Sequence, residues 1–202
     1  MPSLYTTYCA FTSAADKLSV LLSGISTLPP LHRKLVAELI LLRLFSLLVD
    51  TIQSTAAKLL CGAHYLDGTL PHTLIPSAKS NTAALELIRT HGRAKPLKYL
   101  KWNMPSQVYD NVQYVIHHND NICAAVTVHA LHFKHMCLIR HHIAHSQAHT
   151  RKLYRDVVQH YYGAYLPAMT PGRLLMSARH SPSILARYIS FSRIFVKQML
   201  KA

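Results

Sequence analysis

The stretch Leu138-Ile139-Arg140-His141-His142-Ile143-Ala144-His145 decides how this chain is read. An arginine and a histidine stand with four residues between them. The apolar residues leading in (Ala130, Leu131, Phe133, Met136, Leu138, Ile139) recur at helical spacing, which places the stretch on a helix. Five positions at about 100° each set Arg140 and His145 roughly 140° apart on a straight helix. They meet one reactant only if the helix breaks close by or a groove is shared between two copies. No Gly or Pro occurs between Asn121 and Tyr162. A single helix of that length would run about 60 Å, too long for a compact domain of this size. A break is therefore expected between Ser146 and Thr150, where Ser and Thr can cap a new helix.

The pair suits RNA chemistry that needs no metal. The 2′-hydroxyl of RNA can attack the neighbouring phosphorus if a base removes its proton and an acid protonates the leaving 5′-oxygen. Histidine titrates near neutrality and serves either step. Arginine keeps its charge and offers a planar fork of donors to phosphoryl oxygens. Stabilising charge as it develops is usually the largest contribution to such catalysis.

The Arg140-x4-His145 pattern, with the polar His141 directly after the arginine and Ile143-Ala144 before the histidine, resembles the signature of the HEPN superfamily of helical domains. The resemblance is best between about Asp120 and Gly163. It implies an all-α, HEPN-like helical bundle with long central antiparallel helices. It also implies a metal-independent endoribonuclease leaving a 2′,3′-cyclic phosphate, with the motifs of a homodimer meeting in one cleft. By the same resemblance, Arg140 steadies the transition-state phosphate, His145 transfers a proton, and His141 orients the site or touches phosphate. Related domains often act as toxins or antiviral defence effectors held by a partner protein. Some carry a tyrosine two positions after the histidine as a target for nucleotidylation; here that position is Gln147. The alternative is a non-catalytic helical module that binds RNA or protein.

Composition bounds these readings. Half of the 202 residues are hydrophobic, enough for a core, and a single domain is the simplest organisation. With 22 Lys and Arg against 8 Asp and Glu, the formal charge is +14. Natural partners are polyanions: RNA, DNA, anionic lipid or an acidic protein, which the resemblance would make an antitoxin or regulatory protein. Glycine is scarce and strand-like alternation is largely absent, in keeping with an all-α class. Cys9, Cys61, Cys123 and Cys137 are widely scattered and read as free thiols in a reducing cytoplasm. The N-terminus lacks the layout of a signal peptide.

Along the chain, residues 1–12 read as a lead-in and a short helix is expected over 13–23. A long helix runs from Leu31 to Leu60, with Gly62 as its stop. Its apolar run, Leu35 to Val49, contains Glu38 and Arg43 and is shorter than the ~20 residues a membrane span needs. The expectation is a buried helix with no membrane partner, its two charges solvated or paired. Residues 63–80 form a long connector, and a helix is expected over Ala83–Thr90, capped by Asn81 or Thr82. Next comes a basic stretch, Arg89, Arg93, Lys95, Lys98 and Lys101, interleaved with Tyr99 and Trp102. Cations beside rings suit single-stranded nucleic acid, so Lys95, Lys98 and Lys101 are candidate RNA contacts, while Trp102 is expected in the core. Helices are then predicted over Ser106–His117, from Ile122 through the motif, and over Thr150–Tyr165. Arg151, Lys152 and Arg155 extend the positive surface, and Tyr154 is a candidate stacking or substrate contact. Leu174–Met176 reads as a brief extended piece, and a final helix spans Ser183–Leu200.

Fifteen histidines make chance constellations common. His141, His145 and His149 form a four-residue stripe that could ligate zinc or copper. No cysteine or acid joins it, so no metal ligand and no cofactor is assigned. Glycine-rich phosphate loops, a Gly-x-Ser-x-Gly elbow and paired carboxylates for two-metal chemistry are absent from the sequence.

Overall fold

A computed structural model describes residues 2–202. Among them lie nine α-helices, one turn of 3-10 helix at Ile25–Thr27, one isolated antiparallel bridge between Thr73 and Ile116, and no strand. The protein is all-α. The helices are α1 (Leu4–Gly24), α2 (Pro30–Leu60), α3 (Asn81–Thr90), α4 (Pro105–Val112), α5 (Asn121–Val128), α6 (Ala130–His145), α7 (Ala148–Tyr162), α8 (Pro171–Leu175) and α9 (Ile184–Leu200). The chain forms two compact units. The first holds the residues up to Ser13, Leu47–Ala130 and Arg193–Ala202; the second holds Ala14–Ser46 and Leu131–Ser192.

α2 starts with proline, whose fixed φ suits a first helical turn and whose missing N–H costs nothing there. In the first unit its Leu48, Ile52, Ala56, Leu59 and Leu60 are buried, as are Leu4 and Phe11 of α1. Lys58 holds the start of α1, donating to the Ser3 carbonyl (2.9 Å) and to the hydroxyls of Thr6 (3.2 Å) and Thr7 (2.7 Å). α3 packs on α4 and α4 on α5. Ser80, and not Asn81 or Thr82 as expected, caps α3, accepting from the Ala83 N–H at 3.2 Å; Asn81 and Thr82 already lie in the first turn.

Asp120 organises the centre of this unit. Its buried carboxylate accepts the Tyr65 hydroxyl, the His72 N–H (2.8 Å) and, as the cap of α5, the Ile122 N–H (3.2 Å). The long connector is thereby tied to the α5 N-terminus. Asn121 closes the far end, its amide donating to the α9 carbonyls of Gln198 (2.6 Å) and Met199 (2.9 Å).

In the second unit, Phe133, Met136, Cys137 and Ile139 of α6, Val157 and Val158 of α7, and Ile184, Leu185 and Tyr188 of α9 are buried. Phe45 of α2 meets Phe133 with ring centroids 5.8 Å apart. Glu38 is paired: its carboxylate accepts the Gly172 N–H at 2.8 Å. Gly172 lies so close to α2 that an added Cβ would stand 2.7 Å from the Lys34 carbonyl oxygen.

Four further expectations about elements need correction. α1 begins at Leu4, so residues read as a lead-in are helical. α4 stops at Val112, five residues short of the expected end. The helix entering the motif is interrupted at His129, whose φ of −101° and ψ of 9° leave the helical region. Leu174 and Leu175 belong to α8, a short helix capped by Thr170 and opened by Pro171, and are not extended. No single helix among the described residues is long and apolar enough to cross a membrane.

Candidate functional site

α6 ends on His145. Ser146 adopts a left-handed conformation, φ 42°, and its N–H returns to the His142 carbonyl at 3.0 Å. Gln147 is extended and stands at the cap position of α7 without a side-chain capping bond. The expected break is therefore present, immediately after the motif histidine. The helix stays regular through the motif itself, so Arg140 and His145 remain on divergent faces of α6.

His145 is exposed, and Arg140 and His141 are half-buried. His141 and His145, one turn apart, share a face with ring centroids 6.4 Å apart. The His141 ring also lies against the Cys137 sulfur, 3.8 Å from Nε2. Burial, aided by the positive charges of Arg140 and His145, lowers the His141 pKa, which favours a neutral imidazole. Burial pushes the Cys137 thiol up to about 12, against the opposing pull of Arg140, so it is an inert neighbour.

The next residue, His142, faces elsewhere. Its ring stacks on Tyr154 of α7, centroids 4.7 Å apart and planes inclined by 17°. Both line a recess of about 180 Å³, together with Arg151, Arg155, Tyr165 and the segment from Pro167 to Pro171. The four-residue spacing of Arg151 and Arg155 puts both on one face of α7. Arg155 lies over the Tyr165 ring at 4.8 Å. Tyr154 is only 3% exposed, so its ring faces packing partners rather than solvent. Lys152 is exposed. Sequence reasoning missed His142. Its one available signal was adjacency to the motif, which says nothing about the tyrosine it meets.

The lysine stretch belongs to the first unit. Lys95, Lys98 and Lys101 are exposed. Lys98 and Lys101 line a second recess, about 330 Å³, with Leu97, Tyr99, Gln107 and Asp110. Tyr99 is 67% exposed and carries the Lys98 ammonium 5.3 Å above its ring. Trp102 is buried, in the core as expected. Two cations of the stretch are engaged by neighbouring groups of the fold. Arg89 forms a two-point bond with Glu86, at 2.9 and 2.7 Å. Arg93 donates to the carbonyls of Asp110 and Asn111 and lies 5.0 Å over Tyr114.

The remaining histidines are mostly packed against rings. His132 stacks on Phe191 at 5.0 Å, and His135 meets His160 at 4.7 Å. His149 falls on α7, beyond the break. Among the described residues, no group of three or more His, Cys, Asp or Glu is placed to hold a metal ion. No family model, no curated protein and no solved structure matches this chain.

Proposed function

We propose that this protein is an endoribonuclease that cuts single-stranded RNA by attack of the 2′-hydroxyl, without a bound metal. The observation that carries the reading is the end of α6: an exposed His145, a half-buried His141 6.4 Å away on the same face, and Arg140 beside His141. His145 carries a proton to or from the ribose-phosphate linkage. His141, held neutral, orients the reactant or donates to a phosphoryl oxygen. Arg140 meets the charge that builds on phosphorus.

Because Arg140 and His145 diverge within one chain, this reading takes the site to be shared, with the arginine of one copy facing the histidine of another. Exposed lysines and arginines track the RNA backbone, and an acidic protein is the complementary regulator for a chain of net charge +14. The same divergence on an unbroken helix favours the second reading, a module that binds RNA without cutting it.

Purified protein incubated with unstructured RNA in EDTA separates the two. Cleavage leaving a 2′,3′-cyclic phosphate, lost in His145→Ala while RNA binding persists, supports the enzyme. Binding by the wild type with no cleavage product overturns it in favour of the module.

A further inference from the structure

The recess between the α6–α7 turn and the segment entering α8 has a chemical character of its own. Two of the residues that line it carry a buried polar atom with no hydrogen-bond partner, the Tyr154 hydroxyl and Nδ1 of His142. A buried polar group left unpaired costs about 1–3 kcal/mol, so native folds seldom keep one without a reason. Here two belong to residues lining one recess, and Arg151 and Arg155 line it as well.

All four groups can donate a hydrogen bond. Burial, then the neighbouring charges of Glu38 and Tyr162, raises the Tyr154 pKa, so the hydroxyl keeps its proton. Burial and the Arg151 charge lower the His142 pKa, leaving a neutral ring with one N–H to give. The opposing charge is Glu38, whose carboxylate is engaged by the Gly172 N–H and does not line the recess. Two neutral donors between two cations match a tetrahedral oxyanion.

Size narrows the ligand. A volume of about 180 Å³ holds roughly six waters at ~30 Å³ each. That accommodates a phosphoryl group and the start of a sugar and is well below the 300–1,000 Å³ typical of whole-ligand pockets. The adjoining Tyr165 ring and Pro167 supply apolar surface for the organic group esterified to the phosphate. We propose that this recess is a binding site for a phosphate monoester, with Tyr154 and His142 donating from the floor and Arg151 and Arg155 closing on the phosphoryl oxygens. The ligand is either a small phosphorylated metabolite or the phosphorylated end of an RNA. The proposal does not require cleavage at the end of α6, and His145→Ala protein binds the same ligand.

Calorimetric titration of the full chain at fixed ionic strength tests it. The probes are inorganic phosphate, adenosine 5′-monophosphate, adenosine, and a short RNA carrying either a 5′-phosphate or a 5′-hydroxyl. Phosphorylated probes are expected to bind saturably and more tightly than their unphosphorylated counterparts. Tyr154→Phe removes only the unpaired hydroxyl, so it is expected to keep or raise the melting temperature while weakening phosphate binding about tenfold or more. Arg151→Gln with Arg155→Gln, both at exposed positions, is expected to abolish the phosphate preference without disturbing the fold. Adenosine 5′-monophosphate binding at least as tightly as the phosphorylated RNA supports a small metabolite. Preference for the 5′-phosphorylated RNA supports a chain end. The proposal is overturned if no phosphorylated probe binds, if unphosphorylated probes bind as well, if inorganic phosphate binds more tightly than either ester, or if Tyr154→Phe binds phosphate as tightly as wild type.

Discussion

The imidazole of His141 lies one helical turn behind that of His145, ring centroids 6.4 Å apart, with Cys137 packed beneath the first and solvent around the second. Burial, then the charges of Arg140 and His145, lowers the His141 pKa, so a neutral imidazole stands one turn from the solvent-facing ring.

If the end of α6 is catalytic, His145→Ala is expected to lower the rate of RNA cleavage by about 10²–10⁴-fold, the usual effect of losing a positioned acid or base. His141→Asn keeps a hydrogen-bonding group but no titration, and is expected to cost less and to flatten the acid side of the pH–rate profile. Single-turnover cleavage of a labelled RNA across pH 5 to 8 provides the comparison. Equal rates for His145→Ala and wild type would remove the histidine from the reaction.

Asp120→Ala is expected to cost about 3 kcal/mol or more, because hydrogen bonds to a charged group are worth roughly 1.5–3 kcal/mol and three donors lose their acceptor together. Tyr65→Phe removes one of the three and is expected to cost about half as much. The tyrosine stays protonated, its ionisation suppressed first by burial and then by the Asp120 bond. Urea unfolding of the two variants and their double mutant measures the coupling.

His135 is 6% exposed and its pKa falls to about 4, from burial first and then from the charges of His160, His132 and Lys134. Its Nδ1 has no hydrogen-bond partner. The unfolded chain binds a proton here near pH 6.5 and the folded chain near 4, so the unfolded state holds more protons between those values. Stability is therefore expected to fall as pH drops from about 6.5 to about 4, by at most roughly 1.4 kcal/mol per pH unit from this group. Above pH 6.5 this group has no effect. His135→Leu is expected to shrink the slope in a pH series of melting temperatures; an unchanged slope would assign it to other groups.

Gly172→Ala sets a methyl 2.7 Å from the Lys34 carbonyl oxygen and 2.9 Å from its Cα. Backbone atoms cannot swing aside as the tip of a side chain can. A loss of about 1–3 kcal/mol is expected, the ordinary cost of overpacking. The Gly172 bond to Glu38 is also expected to weaken, visible as faster amide exchange at residue 172.

Much of the architecture was legible because it rests on local chemistry. α2 was readable from Pro30, its apolar run and Gly62, and α9 from the spacing of Ile184, Tyr188, Phe195 and Met199. The α6–α7 break was inferred from length, since a longer helix would overrun the fold, and was placed by Ser146 and Thr150, although Gln147 takes the cap position without a side-chain bond. The early start of α1 was hidden because Tyr5, Thr6, Thr7, Tyr8 and Thr12 are poor helix formers, and it is burial of Leu4 and Phe11 that holds them. The stop at His129 has no Gly or Pro to announce it. At the candidate site, the sequence placed Arg140, His141 and His145 on one helix end. It did not disclose the His142–Tyr154 stack, because that contact joins two helices and has no periodic trace.

The four boundaries between the two compact units fall inside α1, α2 and α9, at Ser13–Ala14, Ser46–Leu47 and Ser192–Arg193, and one residue into α6, at Ala130–Leu131, and not in linkers. Neither unit is one unbroken stretch of polypeptide, so no single scission releases either as a whole. Melting one would fray three rods that also belong to the other. The chain is therefore expected to unfold in a single sigmoid by circular dichroism and by tryptophan fluorescence alike, even though its lone Trp102 reports from only one of the two.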